Sequence, residues 1–240
     1  MRLTSTLLAL LLIAGTAILA SCGASNAEIL SQARSVEVSL MRYLPTGMVD
    51  WIHAEAGDLA SGRSNEEIVR QQAAGHVTGE DPDGYGTEVL TFFVMMDAVR
   101  ILDKGFVNNQ KRTEAIGKAK AGIDGLIGTV NGDLSNNSGK DDSDPCACGS
   151  YEPLLNELAS SLRQSETWIT LSVREPLDVG DLRALIRDLE HMKDTMGELG
   201  EMNQLRLQAY DDRKSQIINA ISRIQKKASE TNSSIIQNMK

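Results

Sequence analysis

The chain has 240 residues and a formal charge of −9, which disfavours general binding to nucleic acid, since phosphate neutralisation needs clustered Lys and Arg. Aromatic residues make up only 4% while Ala, Leu, Ile, Met, Glu and Gln are plentiful, so strands should be scarce and helices common. The length allows one sizeable domain or two small ones.

The first element is a leader. Arg2 precedes an apolar run from Leu7 to Leu19, and the run ends in Leu19-Ala20-Ser21-Cys22. A charged start, a short apolar centre and a small-residue cleavage site mark a secretory signal, and the run is too short to span a bilayer as an anchor. The tetrapeptide resembles the lipobox of bacterial lipoproteins. That resemblance implies cleavage before Cys22 and attachment of a diacylglycerol to its sulfur, with residues 1–21 removed. Ordinary cleavage after Ala27 is the alternative, because Ser25-Asn26-Ala27 also places small residues where a signal peptidase needs them. Acyl chains contribute about 0.8 kcal/mol per buried methylene, so two or more would hold the body stably on a membrane.

After the leader, Ile29, Ala33, Val36, Leu40 and Tyr43 recur at steps of four and three and predict a helix ended by Pro45 and Gly47. Met48 to His53 forms a short helix or an apolar loop. Ser64 with Glu67 fits a capping box, predicting a helix through Ala74. The run Gly79 to Gly86 is a turn. Residues 88–104 are apolar on nearly every side, the pattern of a helix buried at the centre of a bundle. Asp97 and Arg100 argue against a membrane span.

Another stripe, Ile116, Ala119, Ile123, Leu126, Val130 and Leu134, lies on a helix carrying Gly117, Gly122, Gly125 and Gly128. Each of these costs roughly 0.5 to 1 kcal/mol against Ala, so close approach of a neighbouring backbone is the expected compensation, with a merely frayed helix as the alternative. Residues 135–150 are rich in Asn, Asp, Ser and Gly and separate an N-terminal region, 22–134, from a C-terminal one, 151–240. This loop holds Cys146 and Cys148. In an exported chain they are candidates for a local disulfide, with intermolecular bridges or a soft-metal site as alternatives. A metal site would need more ligands, and His53, His76 and His191 are far off in sequence. Calcium at Asp81, Asp83 and Glu88 does not match the twelve-residue calcium-loop spacing. No metal or other cofactor is expected.

Pro153 opens a helix on which Tyr151, Leu155, Leu158, Leu162 and Ile169 keep heptad spacing up to Pro176. From a cap at Asp178 or Asp181, Leu182, Leu185, Leu189, Met192, Met196 and Leu199 continue the stripe. It turns polar from Gly200 to Gln216 and resumes at Ile217, Ile221, Ile224 and Ile235. Sustained heptads of this kind imply coiled-coil-like packing, so one very long helix is expected, with a hairpin near Gly197 to Gly200 as the alternative. The fold class is therefore all-α: an elongated helical bundle with a long C-terminal coiled-coil-like helix.

No catalytic constellation emerges from the sequence, and an enzyme is not expected. His53 with Glu55, and Glu190 with His191, are solvated helix positions on this reading. The expected function is a membrane-tethered structural or adapter lipoprotein of the bacterial cell envelope, anchored at the outer membrane or the periplasmic face. Its partner would be another envelope protein or a second copy, engaged through Ile217, Ile221, Ile224 and Ile235. The Leu- and Gln-rich stretch from Gly197 to Gln208 is similar to helices of conjugal-transfer proteins of type IV secretion machines. That similarity implies instead a periplasmic or secreted, non-enzymatic component. A metal or small-ligand carrier using His53 to Glu88 is a third reading.

Overall fold

The computed structural model describes residues 25–41, 44–77, 85–164 and 177–238, apart from the side chains of 39–41, 85, 164 and 231–238. The protein is all-α. Among the described residues six helices follow one another: α1 Asn26–Met41, α2 Thr46–Ser61, α3 Glu66–His76, α4 Tyr85–Asn136, α5 Glu152–Gln164 and α6 Val179–Asn238. None of these helices is long and apolar enough to cross a membrane. The chain divides into two compact units. The first comprises residues 1–105 and 210–240, the second residues 106–209, so the boundary falls inside α4 and inside α6. The loop 135–150 lies within the second unit rather than between two halves.

In the first unit every residue of α4 from Leu90 to Val99 is buried. Such a helix needs cover all round, and its side chains share one core with Leu30 and Ala33 of α1, Ile52, Ala56 and Leu59 of α2, Val69 and Ala73 of α3, and Ile217, Ile218, Ile221 and Ile224 of α6. Local chemistry ends each helix where the core requires a turn. Ser25 and Glu28 cap α1 reciprocally: the Ser25 amide donates to Glu28 Oε2 at 2.7 Å, and the Glu28 amide donates to Ser25 Oγ. Gly62 closes α2 at φ 81°, with the Arg63 amide donating to Asp58 O at 2.9 Å. A Cβ on Gly62 would also meet the Arg213 guanidinium, which itself donates to Ala60 O at 2.7 Å. At α3 the cap is Asn65, accepting from the Ile68 amide, one residue beyond the Ser64 expected from sequence. Ser64 instead donates to Glu55 Oε1 at 2.8 Å.

The second unit packs Ala119, Ile123, Leu126 and Val130 of α4 with Tyr151, Leu158 and Leu162 near α5, and with Leu182, Leu185, Leu189, Met192 and Met196 of α6. Buried Asn203 fixes the register of the two long helices here. Its Nδ2 donates to Asn109 O at 2.7 Å and to Thr113 Oγ1 at 2.6 Å across the helix seam. This contact falls in the polar stretch of α6, which runs without a break from Val179 to Asn238, so the single-helix expectation stands and the hairpin does not. Asp178 and Asp181 cap α6 together, each carboxylate accepting from the other's amide.

Two expectations for α4 change. The core helix 88–104 does not end before the next stripe but continues through Gly105, where Tyr210 lies so close that an added Cβ would sit 3.1 Å from its ring. The glycines expected to admit a neighbouring backbone do not do so. Gly117, Gly125 and Gly128 have no atom within 4 Å of an added Cβ, and Gly122 meets only the Leu158 side chain at 3.5 Å. They lower helix propensity with no packing return. Gly117→Ala and Gly125→Ala should therefore each stabilise the second unit by about 0.5 to 1 kcal/mol in urea unfolding, whereas Gly105→Ala should gain less, because the Tyr210 ring must first give way. Equal effects at all three positions would contradict this assignment of space.

Candidate functional site

The charges that interrupt the buried helix organise the most connected polar site. Asp97 and Arg100 stand one turn apart on α4, so both approach the same flank of the bundle. Arg100 Nη1 donates to Asp97 Oδ1 at 2.9 Å, and its other arm donates to Glu37 of α1 in a short contact. Glu37 is 1% exposed and its second oxygen, Oε2, is buried without a described partner. On the far side of Asp97, Oδ2 is hydrogen-bonded to His53 Nδ1 of α2 at 2.5 Å. Burial opposes the charge of Arg100, but the hydrogen bond and charge of Glu37, followed by those of Asp97, outweigh it and hold the guanidinium above its ordinary pKa.

The result is a chain of four side chains from three helices, buried at Glu37 and open at His53, whose side chain is 53% exposed. Asp97 orients the imidazole, yet neither a nucleophile nor a third metal-ligating group joins it: among the described residues no cluster of three or more His, Cys, Asp or Glu could hold a metal. His53 therefore pairs with Asp97 and not with neighbouring Glu55, which takes the Ser64 hydroxyl. His76 meets Trp51 in a tilted ring contact, with centroids 4.5 Å apart and planes inclined at 43°. Glu88 accepts from Lys227 at 2.7 Å and from Arg70 at 3.4 Å, an ion-pair arrangement rather than an open ligand. A groove of about 510 Å³ in the same unit is lined by Asn26, Leu30 and Arg34 of α1, Asp103 of α4, and Lys214 and Ile218 of α6. Asp103 joins its two cations, at 2.6 Å to Lys214 and 3.6 Å to Arg34.

The remaining sequence candidates are dispersed. Cys22 lies outside the described residues, as does the side chain of Ile235. Ile217, Ile221 and Ile224, expected to face a partner, are 4%, 0% and 8% exposed in the first unit's own core. The stripe is satisfied within the chain, so these residues offer no partner surface. Cys146 and Cys148 are joined by a disulfide in the second unit, with Cα atoms 5.3 Å apart. Nearby, Tyr151 donates its hydroxyl to Asp133 in a short contact; burial, then that hydrogen bond, keep the phenol well above its usual pKa.

Compared with known protein families, curated proteins and solved structures, the chain matches none of them.

The four-residue network makes an energetic demand that separates its members. Arg100→Met strands the buried Glu37 and Asp97 carboxylates and should cost about 2 to 3 kcal/mol, somewhat less than a fully enclosed pair because Arg100 is partly solvated. His53→Ala, at the open end, should cost less than about 1 kcal/mol. Urea unfolding followed by helical circular dichroism distinguishes the two, and equal losses would show that the network is not graded by burial.

Proposed function

We propose that this chain is an exported lipoprotein, held on the bacterial cell envelope by lipid on Cys22, and that its helical body acts as a non-enzymatic adapter. The observation that carries the reading is the start of α1. Its reciprocal cap uses Ser25, and the two hydrogen bonds between Ser25 and the Glu28 carboxylate hold that carboxyl below its ordinary pKa. Cleavage before Cys22 retains the cap. Cleavage after Ala27 removes Ser25 and sets a new ammonium at Glu28, in the first turn of α1, where the positive end of the helix dipole disfavours it. The chemistry of the folded body thus favours the lipobox cut over the later one.

The adapter surface is assigned away from the buried isoleucines. Met202 and Leu205 of α6, three residues apart and therefore on neighbouring positions of one helix face, are 49% and 66% exposed in the second unit. Large apolar side chains left outside on a helix suit a helical partner better than a small ligand.

The test is the intact mass of the mature protein from membrane and soluble fractions of a bacterial host. A membrane form starting at Cys22 with added acyl mass, lost to the soluble fraction in Cys22→Ser, is expected. A soluble wild-type form starting at Glu28 would overturn the anchor. For the adapter role, cross-linking of the wild-type chain in the envelope is expected to give a species with a partner, and Met202→Glu with Leu205→Glu should leave helicity intact and abolish it; absence of the wild-type species, or its persistence in the variant, would remove this face from consideration.

A further inference from the structure

We propose that Cys146–Cys148 is a thiol–disulfide exchange site that oxidises low-molecular-weight or protein thiols, with Cys148 as the sulfur attacked and Cys146 as the thiolate released. Three observations lead there. The first is that the bond has little bracing to do. It links cysteines only two apart in sequence, and a disulfide stabilises a fold chiefly by closing a long loop in the unfolded chain. The loop is already held to the start of α6 without it. Cys146 N donates to Leu177 O at 2.9 Å, Val179 N to Asp144 O at 3.2 Å and Gly180 N to Asp142 O at 2.9 Å. Arg183 pairs with Asp142 as well.

The second observation distinguishes the two sulfurs. Asn137, 3% exposed, directs its Nδ2 toward Cys146 Sγ at 3.7 Å. Its orientation is fixed from both ends, since Nδ2 also donates to Asp133 O at 2.8 Å while Oδ1 accepts from the Ala147 amide at 3.2 Å. This amide is a ready donor to a thiolate on Cys146. Lys140 adds positive charge nearby, its ammonium donating to the carbonyl of Pro145, the residue preceding Cys146, at 2.9 Å. The better stabilised thiolate is the better leaving group, which directs attack to Cys148.

The third observation is access: both cysteines are only partly buried, at the edge of the second unit's core. Reactive sulfurs need such exposure, whereas inert structural ones are enclosed.

The step balances as an exchange. A thiolate attacks Cys148 Sγ and forms a mixed disulfide while the Cys146–Cys148 bond breaks and its electron pair leaves on Cys146 Sγ. A second thiolate then attacks the small-molecule sulfur of the mixed disulfide, releasing a new disulfide and the Cys148 thiolate. Two thiols are oxidised, the protein pair is reduced by two electrons, and protons lost by the attacking thiols are taken up by Cys146 and Cys148.

The experiment uses the full chain with Cys22→Ser, so that only Cys146 and Cys148 titrate. It is equilibrated in buffers of reduced and oxidised glutathione, acid-quenched, alkylated and analysed by intact and peptide mass. The expected result is reversible reduction of the native protein at glutathione ratios that leave a structural disulfide intact. At early times glutathione should be found on Cys148 and the alkylating label on Cys146. Asn137→Asp, which keeps the acceptor for Ala147 but loses the donor, should raise the ratio of reduced glutathione needed for half-reduction by about tenfold, the loss of one hydrogen bond to a charged group. Retention of the disulfide until the protein is denatured, or glutathione found first on Cys146, would overturn the proposal. The wild-type mapping requires no variant at Asn137, so the test stands even if Asn137→Asp fails to fold.

Discussion

Ten consecutive residues of α4, from Leu90 to Val99, are buried, and this run determines the construction of the first unit. An ordinary amphipathic helix needs one neighbour for its apolar stripe, but a segment apolar on all sides needs cover on all sides. No local element can supply that. α1, α2 and α3 come from the stretch that precedes α4, and the last side of the cover comes from Ile217 to Ile224, more than a hundred residues downstream. The length of α6 follows from that requirement, since its C-terminal half belongs to this unit while its N-terminal half completes the core of the other.

A helix so enclosed carries charge only where partners are provided, and Asp97 and Arg100 show how. Each would be costly alone, because a buried charge without a counterion loses its hydration and regains nothing. Together they form an i,i+3 pair, and the flanking helices extend it with Glu37 on one side and His53 on the other. The network ties α1, α2 and α4 at one place in addition to the apolar core. Its geometry is selective in a way that apolar contacts are not, because rotating α1 by one residue would remove Glu37 from Arg100 and leave a buried carboxylate without its cation.

Much of this was legible in the sequence, and the failures share a cause. Periodicity gave α1 from Ile29, Ala33 and Val36, the enclosed helix from Leu90 to Leu102, and the α6 stripe from Leu182 to Met196, because each depends on spacing within one segment. Spacing does not reveal what lies opposite. Ile217, Ile221 and Ile224 have the pattern of an interface, and nothing in that pattern separates a second molecule from the chain's own α4. Likewise Gly117, Gly122 and Gly125 have the pattern of close helix approach without the approach. His53 and Glu55 were both expected to be solvated, whereas Glu55 is buried and His53 pairs with Asp97, 44 residues away on another helix. A signal for that pair did exist: two opposite charges one turn apart inside an otherwise apolar helix require partners from elsewhere. The polar middle of α6 was the other ambiguity, and Asn203 resolves it. Its Nδ2 donates to the Asn109 carbonyl of α4 and to Thr113, so the polar stretch is a register contact and not a break.

The start of α1 links the fold to the proposed anchor through distance. Only Gly23 and Ala24 separate Cys22 from the capping residue Ser25. An extended chain spans at most about 3.5 Å per residue, so a lipid on Cys22 would keep the first turn of α1 within about 10 Å of the point of attachment. A tether that short confines the body near the membrane surface and gives it little capacity to search by reach. Contact with a partner would then depend on side chains presented by the long helices, which places the demand on exposed positions such as Met202 and Leu205 rather than on any flexible arm. The same shortness makes Ser25 structurally consequential, because a residue three positions after the proposed anchor is the one whose hydroxyl and amide cap the helix.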